Sequence, residues 1–106
     1  MTAEIFNVAR IDDVIHGRVR LGVMAYLMVE EPADFSTLKM KLGVTEGTLS
    51  VHLRKLDEAG YVAIEKTYRG RRPLTRVHLT ANGRAAFRDY VQRLGRLAGF
   101  GDGAQP

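Results

Sequence analysis

Thr48, Ser50, His52, Arg54 and Lys55 bring hydroxyl, imidazole and cationic groups together in one short stretch, interrupted by Leu49, Leu53 and Leu56. Leucines spaced by four and three share one side of a helix, which pushes the polar groups onto the other faces. No Ser/His/Asp order, nucleophile elbow or phosphate-binding glycine loop accompanies them, so bond-breaking chemistry has no support. What the stretch offers is hydrogen bonding and positive charge directed at an acidic partner with readable edges. A second cationic group, Lys66, Arg69, Arg71, Arg72 and Arg76, surrounds Gly70 and Pro73. Turns usually draw on Asn, Asp, Ser and Gly. Three arginines at one turn therefore point to phosphates or a narrow minor groove rather than to solubility alone.

Residues 36–56 read as two short helices meeting at a tight turn. Ser36 can cap the first, which carries Leu38 and Leu42 on one side. Gly43 supplies the left-handed residue that ends a helix without a Cβ clash. Thr45 can cap the second helix by accepting a backbone N–H. A helix held by three leucines, with polar and cationic groups outward, suits a DNA major groove. The deepest part of such a helix is its N-terminal half, which favours Thr48, Ser50 and Val51 for base edges, Val51 toward a thymine methyl. Arg54 can reach a guanine or a phosphate, and Lys55 a phosphate. His52, close to the leucine face, either touches DNA or packs beneath the following hairpin. Gly47 weakens the helix, which close approach to a phosphate would justify and simple fraying would also explain. After Asp57-Glu58-Ala59-Gly60, residues 61–68 and 74–79 read as strands around the basic turn at 69–73. Helix, helix and basic-tipped hairpin is the order of an α+β winged helix-turn-helix domain.

The run Leu49-Ser50-Val51-His52-Leu53-Arg54-Lys55-Leu56-Asp57-Glu58-Ala59-Gly60-Tyr61-Val62 resembles the recognition-helix signature of MarR- and ArsR-type transcriptional regulators. Residues 18–27 are similar to their opening helix. Gly70-Arg71-Arg72-Pro73 and Leu79-Thr80-Ala81-Asn82-Gly83-Arg84 match the wing and the start of the last helix in a small single-domain branch. The resemblance spans roughly residues 11–97. It implies a three-helix core with a β-hairpin wing and a C-terminal dimerisation helix, acting as a dimeric regulator on double-stranded DNA. Metal-sensing ArsR proteins carry cysteines or terminal-helix His/Asp sets. This chain has no cysteine, and its terminal helix has Asp89 but no histidine, so no metal and no cofactor is expected. The chain is also shorter than many MarR-type regulators, which leaves a small-molecule effector an open partner of unknown identity.

Length and charge agree with this reading. A chain of 106 residues makes one domain with a modest core. We expect that domain at residues 1–98, with a glycine-containing disordered tail at 99–106. Residues 36–76 hold nine Lys/Arg against four acids, a net +5, whereas the remainder holds seven against eight. The positive charge thus sits on the segment that reads as a DNA contact. The lack of cysteine and of any long apolar run predicts a cytoplasmic protein without membrane contact.

Four further expectations concern the scaffold. Residues 11–15 should form a short helix or the first turn of a longer one, interrupted around His16-Gly17, and residues 18–29 the most buried helix, stopped before Pro32. Phe35 should sit in a short edge strand. The last helix should start after a Thr80 cap and present Phe87, Tyr90, Leu94 and Leu97 as a seam to a second copy, since so small a domain has little core to receive four more large groups. With no visible activation module, repression by promoter occlusion is the simplest mode of action. The competing reading is a winged helix that binds only protein, which would not require cations on both helix and wing.

Overall fold

The computed structural model describes residues 7–99. A 3-10 turn at Val8–Arg10 precedes α1 (Arg18–Val29), β1 (Ala33–Asp34), α2 (Phe35–Leu42), α3 (Glu46–Glu58), β2 (Val62–Arg69), β3 (Arg72–Leu79) and α4 (Ala81–Leu97). The sheet is antiparallel, ordered β1-β3-β2. This is an α+β winged helix-turn-helix fold. Of the expected tail, residues 100–106 lie outside the described residues.

Local sequence explains most element ends. Gly43 has φ 64° and closes α2, its N–H reaching Lys39 O at 3.0 Å. The Thr45 hydroxyl accepts the Thr48 N–H at 3.2 Å, and the Thr80 hydroxyl accepts the Gly83 N–H at 2.9 Å. Strands β2 and β3 pair from Val62↔Leu79 to Arg69↔Arg72, leaving a two-residue connection of Gly70 and Arg71. Gly70 has φ 64°, as the first position of a type II′ hairpin turn requires. The wing is therefore longer and its tip tighter than the five-residue turn at 69–73 that composition suggests.

The core gathers one stripe from each element. Val23, Met24 and Leu27 of α1 meet Leu38 of α2, Leu49, Leu53 and Leu56 of α3, and Val62, Val77 and Leu79 of the sheet. The α4 contribution corrects an expectation. Tyr90 is only 2% exposed within the single chain, and its hydroxyl lies 2.9 Å from His16 Nδ1. It belongs to the core of the single chain, not to a seam offered to a second copy. The reason is the segment before α1, which folds back over α4 and supplies both Ile15, fully buried, and a polar partner for the phenol. Phe87 and Leu94 also pack against the core but stay partly exposed, as does Leu97.

Three other expectations change. Residues 11–15 form a turn rather than a helix. The Asp12 carboxylate accepts N–H bonds from Val14 at 2.8 Å and Ile15 at 3.1 Å, a local alternative to helical bonding. Phe35 opens α2 instead of lying in a strand, and the short edge strand is Ala33–Asp34. Pairing of Ala33 with Val77 and Asp34 with Arg76 keeps the chain extended up to Asp34. Helix therefore begins at once, and Ser36 is inside α2 rather than capping it.

Gly83 marks the tightest junction. A Cβ there would lie 2.0 Å from Tyr61 O, whereas one on Gly47 would meet nothing within 4 Å. Gly83→Ala must push α4 off the start of the wing and should destabilise the protein by at least about 2 kcal/mol. Gly47→Ala should be neutral or stabilising by up to about 1 kcal/mol. Urea unfolding of the two variants checks this contrast.

Candidate nucleic-acid interface

The three buried leucines fix how α3 is turned. At about 100° per residue, burial of Leu49, Leu53 and Leu56 aims Val51, Arg54 and Lys55 outward, with Thr48 to one side. All four are exposed, Val51 by 49%. Thr48 also receives the Thr45 hydroxyl at 3.0 Å, which leaves its own proton for another acceptor. Ser50 and His52 fall on opposite flanks. Ser50 is half-buried and lines a groove of about 380 Å³ between α3 and the wing, shared with Arg54, Lys66 and Thr75.

His52 lies neither on the outward face nor beneath the wing. Its Nδ1 is 2.8 Å from Nη1 of Arg20 on α1. Arg20 also donates from Nε to Val14 O, so the guanidinium bridges the N-terminal turn and the recognition helix. Because arginine only donates, His52 Nδ1 is the acceptor in this pair. Burial, then the charges of Arg20 and Lys55, lower the His52 pKa below its ordinary 6.5.

The wing cations divide into two sets. Arg69 Nη2 is 3.2 Å from Asp34 Oδ2, and Arg76 Nε is 3.9 Å from Asp34 Oδ1. Asp34 thus holds two of the five wing cations, Arg69 from the tip end of β2 and Arg76 from the middle of β3. Arg71 in the turn and Arg72 beside it are exposed and make no ion pair among the described residues, and neither does Lys66 on the groove side. His78 lies 3.0 Å from Glu65 across the strands. The unpaired positive charge of the wing is therefore at its tip and along the groove, which Glu46 and Asp57 also border, all on the Ser50 side of α3.

Several positioning residues gave no signal by spacing. Asp12 Oδ2 accepts the Tyr61 hydroxyl, which ties the N-terminal turn to the start of the wing. That bond, with burial and the Asp12 charge, raises the Tyr61 pKa to about 12. Glu31 accepts the Leu79 N–H and an Arg84 N–H, both at 2.8 Å, and so joins β3 to α4. Asp12 and Tyr61 stand 49 residues apart, and Asp34 and Arg69 stand 35 apart. Only an acid next to an extended segment hints at such pairs in advance. Among the described residues no group of three His, Asp or Glu could hold a metal, and no helix is long and apolar enough to cross a membrane.

Helix-turn-helix, wing and outward polar face together define a DNA-binding winged-helix module, and family comparison agrees. Residues 19–98 match the model of the winged helix DNA-binding domain family, and the chain belongs to that family. It is 35% identical over 85 residues to an uncharacterized protein of Methanocaldococcus jannaschii, covering 80% of this chain and 92% of that one. Among solved structures, it resembles a transcriptional regulator homologue from Pyrococcus horikoshii OT3 with a TM-score of 0.81 and 28% identity, over 90% of this chain and 93% of the other. A MarR family transcriptional regulator from Silicibacter pomeroyi shares the fold with a TM-score of 0.62 and 23% identity, over 98% of this chain and 68% of the other. The architecture is MarR-like.

A pH dependence follows from His52. With its folded pKa lowered, the unfolded chain binds the proton more readily as pH falls below about 6.5. The stability contributed by neutral His52 is complete above that value and is lost as pH drops toward the lowered pKa. Urea titrations between pH 7.5 and 5 should show this loss, and His52→Gln should remove its part of the slope.

Proposed function

We propose that this protein is a sequence-specific regulator of transcription that binds double-stranded DNA as a homodimer and represses by occluding a promoter. The observation that carries the reading is the unpaired cationic frame, Arg71 and Arg72 on the wing tip and Lys66 along the groove, beside the exposed outward face of α3. A recognition helix in a major groove needs base-reading groups at its centre and phosphate-binding groups at its margins. Val51 and Arg54 have the central position, with Thr48 reading from one side and Ser50 from the groove side. Lys55, Lys66, Arg71 and Arg72 supply charge to the backbone. Arg69 and Arg76 act less directly, since each shares Asp34. A winged helix used only for protein binding gives no reason for this frame, and salt-independent binding would favour it.

Dimerisation rests on α4. With Tyr90 occupied inside the protomer, the exposed apolar row runs through Phe87, Val91 and Leu94, spaced four and three, and continues to Leu97. Val91 is 50% exposed and borders a hollow of about 670 Å³ whose lining is Met28, Ala85 and Phe87 with the polar Arg88, Asp89 and Gln92. A second copy laid along this row would pair two α3 helices by a two-fold axis. Operator half-sites should then repeat about 10–10.5 bp apart centre to centre, or at a multiple of that.

Two measurements test the reading. Arg71→Ala and Arg72→Ala should weaken binding to operator and random duplex alike, each lowering the slope of log affinity against log salt by about 0.9. Ser50→Ala or Thr48→Ala should act mainly on the preferred operator, by about 1–3 kcal/mol. Wing variants that keep the wild-type slope would contradict this division. For the assembly, Val91→Glu should convert dimer to monomer in light scattering without loss of helicity, because it places a carboxylate in an apolar contact. A wild-type monomer at micromolar concentration, or an unchanged variant dimer, would refute it.

A further inference from the structure

A recognition helix lying in the major groove runs between two phosphate backbones, and the wing can serve only the flank on which it stands. In α3 that is the Ser50 flank. The other flank faces α1, where His52 meets Arg20 and where Lys55 and Glu58 border a hollow with Asp13 and Arg20, while the turn between α2 and α3 precedes the N-terminal end of α3. At that turn Arg18, in the first turn of α1, and Lys41, in the last turn of α2, border a hollow of about 480 Å³ together with Gly43 and Val44. Both cations are exposed, and neither makes an ion pair or side-chain hydrogen bond among the described residues. No acidic residue borders the hollow. Gly43 and Val44 lead directly into Thr45, the cap of α3, so the hollow adjoins the end of the recognition helix that enters a groove most deeply.

We infer that Arg18 and Lys41 form a second phosphate-binding patch, which takes the backbone strand of duplex DNA opposite the strand held by the wing. This rests on the DNA-binding reading and extends it to residues outside helix and wing. Two cations from different elements would hold α3 at its N-terminal end as the wing holds it on its Ser50 flank. Phosphate needs only a positive charge at this distance from the bases, so the patch should add affinity without sequence preference. Either cation should also be replaceable by the other basic residue.

The test measures binding of the intact protein to its selected operator and to random duplex at several salt concentrations. Arg18→Ala and Lys41→Ala should each lower the salt slope by about 0.9, and the double variant by about 1.8, equally on both duplexes. Arg18→Lys and Lys41→Arg should keep the wild-type slope. Phosphate ethylation interference with the wild-type protein supplies a readout that needs no variant. It should mark phosphates on both strands bordering each bound major groove. An unchanged slope in the double variant, or interference on the wing-side strand alone, would overturn the patch while leaving DNA binding intact. Absence of salt-dependent duplex binding by the wild type would overturn the underlying reading and the patch together.

Discussion

Burial of Leu49, Leu53 and Leu56 is the constraint from which the rest of this molecule follows. Each is at most 2% exposed, so α3 cannot rotate without bringing a leucine into water, and exposing one would forfeit roughly 1.5–3 kcal/mol. That fixed rotation settles the fate of every other α3 side chain. Thr48, Val51, Arg54 and Lys55 are directed outward, Ser50 toward the wing and His52 toward α1. The polar face is thus a consequence of an apolar one, and the helix is presented to a partner as a rigid object.

Carboxylates hold the surrounding frame in place. Asp12 joins the N-terminal turn to Tyr61, Asp34 joins the helix-turn-helix to the hairpin, and Glu31 joins β3 to α4. Each lies at a junction between elements and meets at least two groups there by hydrogen bond or ion pair. In a domain with so small a core, such charge-assisted bonds fix relative orientation where apolar contact alone permits sliding. Asp34 has a second consequence for DNA binding. By occupying Arg69 and Arg76 it confines the free charge of the wing to its tip and groove side, which narrows where a phosphate can dock.

The order of elements was readable because local rules agree with one another. Gly43, Thr45 and Thr80 each have one dominant conformational or capping role and each fulfils it. The strands of the wing were placed to within one or two residues, though their pairing reaches closer to the tip than the arginines and Pro73 suggest. Ser36 and Phe35 were misplaced for one reason. The two-residue strand β1 exists only because β3 pairs with it, and no local pattern encodes a partner more than 40 residues away. The turn at residues 11–15 has a different, local cause, since one aspartate side chain outweighs helical periodicity there.

The amino-acid sequence by itself determined which side of α3 is apolar, where α2 ends and where α3 and α4 begin, and that positive charge gathers between residues 36 and 76. Periodicity, capping chemistry and charge are properties of neighbouring residues, so they survive without a structure. Tertiary structure alone decided which of the equivalent-looking groups are free. Tyr90 and Leu94 occupy similar positions in a heptad, yet only Tyr90 is covered by the N-terminal segment and paired with His16. Arg69 and Arg71 stand two residues apart, yet only Arg69 meets Asp34. Whether a side chain is available to a partner depends on what the fold brings against it from elsewhere in the chain, and that is a long-range fact which local spacing does not contain.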